Sequence, residues 1–214
     1  TRDLIVFGPD GPIDNALRLL SNGATRTGLP HFGLLVGQRV ALKQYGLIGL
    51  RMMHATTVGM AWRSLVLTLH LNGRFNIPAL TVRDGVATLS FTNFHGAAEG
   101  TDHAMDLTLA VACVFMRTLC GAAWAPDEVH FAHHAPANAA PYSSFFKAPI
   151  RFGAVRTALL FSAHWLDDPV PGAAPAMRKK IEEAIAEPMR NPNLDLLERT
   201  RRVVFTLFTE DEVS

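Results

Sequence analysis

Apolar residues recur at helical spacing early in the chain, at Ile13, Ala16, Leu17, Leu20 and Ala24, and predict a helix from Ile13 to Thr27. Asp14 and Asn15 fall in its first turn, where unpaired N–H groups favour acceptors. His31 to Arg39 is an apolar segment punctuated by glycine, and Gly46 to Met53 is short, apolar and bounded by turn-prone residues, which predicts a buried strand. The stripe Val58, Trp62, Leu65 and Leu69 predicts a second helix from about Thr57 to Leu71. Strands Ile77 to Val82 and Val86 to Thr92 follow, joined through Arg83-Asp84-Gly85, where Asp-Gly is a strong hairpin signal.

Glu99 to Leu119 predicts a long helix entered through Thr101 and Asp102, with Asp106 near its start. From Leu107 onward it is apolar all round, so most of its sides must be covered. A strand from Glu128 to His133, a short helix from Ala139 to Phe146 and a strand from Thr157 to Phe161 complete the pattern. The tail predicts helices from Ala174 to Met189 and from Leu194 to Phe208, separated by Asn191-Pro192-Asn193. Strand, helix, strand, strand, helix, strand between Gly46 and His133 is the order of a split βαββαβ unit. The expected class is therefore α+β: an antiparallel sheet packed by helices, plus a C-terminal helical extension.

Composition narrows the function classes. A chain of 214 residues that is 49% hydrophobic and 18% charged has the makings of one globular domain with an extension. No uncharged apolar stretch reaches the roughly 18 to 20 residues of a membrane span; the longest, Leu107 to Met116, ends at Arg117. The first residues lack a basic region followed by a hydrophobic run, so a cytoplasmic location is expected. Cys113 and Cys120 lie seven residues apart on one predicted helix, about 10 Å and so beyond disulfide reach, and read as reduced core thiols. The net charge is +1, and basic residues cluster only at Arg178-Lys-Lys and Arg199-Thr-Arg-Arg, so this chain by itself lacks the electrostatic footprint of a DNA-binding domain.

Catalytic and metal chemistry find little support. His130, His133 and His134 lie near Asp127 and Glu128, residue types that bind zinc, but strand alternation turns His133 away from His130 and His134. His133 then reads as a core-facing histidine bonded to backbone. His103 and Asp106, three apart, could form half a metal site, with no second half visible. There is no G-x-S-x-G elbow, phosphate loop, G-x-G-x-x-G or C-x-x-C, and Thr1 has no apparent base nearby. No catalytic residue, metal or cofactor is expected.

A mostly apolar pocket with a few polar groups is the better reading. Arg51 and His54 end the first predicted strand, His70 ends the second helix, and Phe91, Phe94 and His95 close the hairpin; these six are the candidate ligand-binding residues. Each also has a plain structural reading: Phe91 in the core, His95 in a loop, Arg51 paired with Asp102 or Asp106. A buried arginine would favour a carboxylate-bearing ligand. Seven methionines and 13 phenylalanines suit an adaptable cavity and ordinary packing alike. Met177, Ile181, Ala184, Ile185 and Met189 form an apolar stripe that suits either a homodimer contact or packing on the chain's own domain.

Several runs carry a resemblance. Val129-His-Phe131-Ala-His133-His-Ala-Pro136, then Tyr142-Ser-Ser-Phe145-Phe146-Lys-Ala-Pro149-Ile-Arg-Phe152, then Leu166-Asp-Asp-Pro169 resemble the N-terminal domain of a large AraC/XylS subgroup of bacterial transcription regulators. Arg117-Thr-Leu-Cys-Gly121, Phe32-Gly-Leu-Leu-Val-Gly37 and Gly46-Leu-Ile-Gly49 are similar to further stretches of that subgroup. The resemblance implies a non-enzymatic domain that binds a small effector, such as a fatty acid or amino acid, often dimerises, and controls DNA-binding helices in a following domain. Thr209-Glu210-Asp211-Glu212 has the form of a capping box with only Val213 and Ser214 after it, as though a helix were just beginning. The expected organisation is an effector-binding domain over residues 1–172, a helical linker or dimerisation segment over 173–208, and the start of a truncated helix-turn-helix domain over 209–214. A stand-alone binding or scaffold domain is the alternative, and a metal-dependent enzyme a more distant one.

Overall fold

The computed structural model describes residues 13–72, 76–93 and 98–181. Helix α1 (Ile13–Thr27) turns Leu17, Leu20 and Ala24 inward, as their spacing requires. The segment His31 to Arg39 contains α2 (Phe32–Gly37), and a 3-10 turn (Leu42–Tyr45) leads into α3 (Gly46–Met53). The strand expected at 46–53 is thus a helix. Its buried positions, Gly49 and Met52, are three apart, the spacing of one helical face, and a short apolar run does not by itself distinguish the two periods. Helix α4 (Val58–Asn72) is capped by Thr57, whose hydroxyl accepts the Met60 N–H at 3.2 Å, and buries Val58, Trp62 and Leu65.

Strands β1 (Asn76–Arg83) and β2 (Val86–Asn93) form the expected hairpin, with Asp84 and Gly85 both at positive φ in the turn. Helix α5 (Thr101–Cys120) is followed by β3 (Glu128–His130), α6 (Ala140–Phe146), β4 (Ile150–Arg151), β5 (Thr157–Ser162) and a 3-10 turn (Ala163–Leu166). Residues 175–181 are again helical, and the remaining tail elements, with the capping box, lie outside the described residues.

The five strands form one mixed sheet in the order β1-β2-β5-β3-β4, antiparallel except between β3 and β4. The α+β class holds, and the order helix, strand, strand, helix, strand stands from α4 to β3. The split βαββαβ arrangement itself is corrected: its first strand is α3, and β5 takes the sheet position between β2 and β3.

One face of the sheet carries Ala87, Leu89, Phe91, Val129, Leu159 and Phe161 into the core, while Thr88, Ser90 and Thr92 alternate to the other face. Against that core lies α5. By length and composition it could cross a membrane, yet 67% of its apolar 18-residue stretch is buried inside this fold. Two glycines let α2 settle directly onto its backbone. A Cβ on Gly33 would collide with the His103 carbonyl, and one on Gly37 would come within 2.6 Å of the Leu107 carbonyl oxygen.

Candidate functional site

A carboxylate sits inside the otherwise apolar body of α5. Asp106 is 2% exposed, so it requires donors, and two elements distant in sequence supply them. Tyr142, buried in the first turn of α6, donates its hydroxyl to Oδ2 at 2.6 Å. His133 places Nε2 3.0 Å from Oδ1, while its Nδ1 meets the His134 carbonyl at 2.9 Å. Burial pushes the Tyr142 hydroxyl well above the ordinary tyrosine value, reinforced by the Asp106 charge.

The expected strand Glu128 to His133 ends its ladder at His130, but its alternation persists. Val129 and Phe131 are fully buried, His133 faces the core, and Glu128 and His130 emerge on the opposite side. There His130 lies 3.0 Å from Glu128, and Glu128 also meets Arg151 at 3.2 Å. The His130 hydrogen bond, aided by Arg151, holds the Glu128 carboxyl below its usual value. The three histidines therefore divide between separate surroundings, and among the described residues no three metal-binding side chains come together. Asp106 is occupied by His133 and Tyr142, while His103 Nδ1 is buried with no hydrogen-bond partner among the described residues.

Rings enclose this network. Phe131 lies edge-on to Tyr142 at 5.5 Å and Phe146 at 5.9 Å, and stacks on Phe152 at 5.4 Å. The far end of α6 is secured by Arg117. Its guanidinium donates to the carbonyls of Phe145 (2.7 Å), Phe146 (3.3 Å) and Trp124 (3.1 Å), and lies 4.8 Å from the Phe145 ring centre. Arg117→Met keeps the alkyl stem but strands these carbonyls, with an expected loss of about 2 to 3 kcal/mol in a denaturant titration. Arg117→Lys, a point charge in place of a planar fork, restores only part of it.

These contacts give the recurrent motifs a physical reading. Phe131, His133, Tyr142, Phe146 and Phe152 form one polar and aromatic cluster; Arg117 and Gly121 close α5; and Leu166 and Pro169 seat the start of α4, where Val58 N–H bonds the Asp168 carbonyl at 3.0 Å. Burial raises both thiols to about 12, Cys113 inside the core and Cys120 half-buried at its edge, which agrees with low reactivity.

The six candidate ligand residues are dispersed over several elements. Arg51 lies half-buried in the last turn of α3, and His54 just beyond it accepts the Ala174 N–H on Nδ1 at 3.2 Å. His70 is near the end of α4, Phe91 packs in the core on β2, and Phe94 and His95 lie outside the described residues. A cleft of about 240 Å³ that sequence reasoning missed is lined by Leu17 and Arg18 of α1 and by Ala98 and Glu99 ahead of α5. Glu99 is fixed there by the Ser21 hydroxyl at 2.6 Å. Its only sequence signal would have been a charge beside the buried face of α1.

Residues 10–170 match the family described as the arabinose-binding domain of AraC transcription regulators, N-terminal. A search of curated proteins gives no match. Among solved structures, the transcriptional regulator CdpR from Pseudomonas aeruginosa shares the fold with a TM-score of 0.59 at 14% identity, over 86% of this chain and 73% of that one. Given a match over residues 10–170 of 214, the chain belongs to the family of arabinose-binding N-terminal domains of AraC transcription regulators, and is a ligand-sensing regulatory domain.

Proposed function

We propose that this domain binds a small carboxylate-bearing effector, a fatty acid or an amino acid, and thereby controls DNA binding by a separate domain. The family match over residues 10–170 carries the reading. Asp106, His133, Tyr142 and Arg117 are engaged with one another or with backbone, which supports an architectural role for the motif residues. Arg51 is the proposed partner of the effector carboxylate, with His54, His70, Phe91, Phe94 and His95 as further lining residues. Residues 1–172 would be the effector domain, 173–208 a linker or homodimer contact, and 209–214 the beginning of the DNA-binding part. A cytoplasmic setting fits this role.

Effector binding shifts a regulatory equilibrium only through different affinities for its two states. The test is thermal unfolding with a panel of fatty acids and amino acids. At a hundredfold excess over Kd a true effector stabilises the domain by about 2.7 kcal/mol. The shift is expected to vanish in Arg51→Ala; if it vanishes in Arg18→Ala instead, the cleft beside Glu99 replaces Arg51 as the site. No shift with either ligand class overturns the proposal.

A further inference from the structure

Both ring nitrogens of His133 face oxygens. The His134 carbonyl, 2.9 Å from Nδ1, can only accept, so Nδ1 carries a hydrogen. The Tyr142 proton is directed at Asp106 Oδ2. A further proton is then required between Nε2 and Asp106 Oδ1, which are 3.0 Å apart, since an ionised carboxylate and a bare ring nitrogen would repel across that gap. We infer that the fold holds this proton on His133, as an imidazolium against ionised Asp106, and that the pair is a pH-sensitive clasp between α5 and the segment that follows β3, a clasp that loosens as the proton is lost.

The surroundings fit. Asp106 and Asp102 of α5 and the Tyr142 hydroxyl of α6 are the titratable groups acting on the ring, and Phe131 and Phe152 flank it. Burial opposes the charge on His133, but the Asp106 hydrogen bond and charge, with help from the His134 carbonyl and Asp102, outweigh it and raise the ring above the ordinary histidine value. A raised folded-state value means stability that is complete below about pH 6.5 and is lost as pH climbs through the folded value. Deprotonation leaves His133 one N–H for two acceptors, the His134 carbonyl and Asp106, so one of those bonds is given up, while Tyr142 still donates to Asp106 and Arg117 still holds the Phe145 and Phe146 end of α6.

The clasp is tested by imidazole ¹⁵N NMR and thermal unfolding between pH 6 and 9, on the wild-type chain and Asp106→Asn. An asparagine amide can donate to a neutral Nε2 while its oxygen accepts from Tyr142, so this variant keeps both bonds without the extra proton. His133 is expected to be doubly protonated at pH 7 in the wild type, with Tm falling as it titrates above about pH 6.5. In Asp106→Asn the ring is expected to be neutral and that fall absent. A neutral His133 at pH 7 in the wild type, or a parallel fall of Tm in both proteins, overturns the inference. Should Asp106→Asn fail to fold, Tyr142→Phe retains the His133–Asp106 pair, and the same NMR reading decides.

Discussion

Asp106→Ala lowers the stability of this domain by about 3 to 5 kcal/mol, the loss that follows removal of one partner from a buried charged pair. Alanine supplies no acceptor, so the Tyr142 hydroxyl and His133 Nε2 are left facing an apolar gap inside α5. For a chain of this size the change corresponds to a Tm drop on the order of 10 °C. Equilibrium denaturation read by tryptophan fluorescence measures it, because Trp62 and Trp124 are both buried. A loss below about 1 kcal/mol would show that the network is not a structural support.

Gly33→Ala is the second large effect, and its sign is the informative part. In a helix interior alanine is normally better than glycine by about 1 kcal/mol. Here the added methyl would meet the backbone carbonyl of His103, which cannot move aside as a flexible side chain can. Helix α2 must then lift from α5, exposing buried Leu34 and opening packing along that contact. The expected result is destabilisation by about 3 kcal/mol, the upper part of the range for overpacking. Chemical denaturation of Gly33→Ala distinguishes the two views directly, since a stabilised variant would mean that α2 does not pack so closely.

Strong periodicity was readable from the chain alone. The heptad-like recurrence of Leu17, Leu20 and Ala24, the Asp84-Gly85 turn and the unbroken apolar run after Leu107 each allow one local structure, and each is found. Gly46 to Met53 was ambiguous for the opposite reason: eight mostly apolar residues satisfy a buried strand and a helix equally, and tertiary contacts decided. Alternation placed His133 on the core side correctly, but nothing local could show that its partner was Asp106, 27 residues earlier, or that Tyr142 would share it. An acid near the start of a helix looks like dipole compensation until the helix is seen to be enclosed. A ligand site was least legible of all: Arg51 and His54 at the end of α3 and Phe91 on β2 lie on separate elements, and no sequence period encodes which elements come together.

Helix α6 is only seven residues long, too short to be stable alone, yet it is bolted at both ends to a single rod. Tyr142 fastens one end to Asp106 and Arg117 grips the other, and these two anchors stand eleven residues apart on α5, roughly 16 Å along its axis. The span leaves α6 no freedom to swing about one attachment while both hold. It travels with α5 as one rigid body, so any rearrangement between them must begin by releasing a bolt.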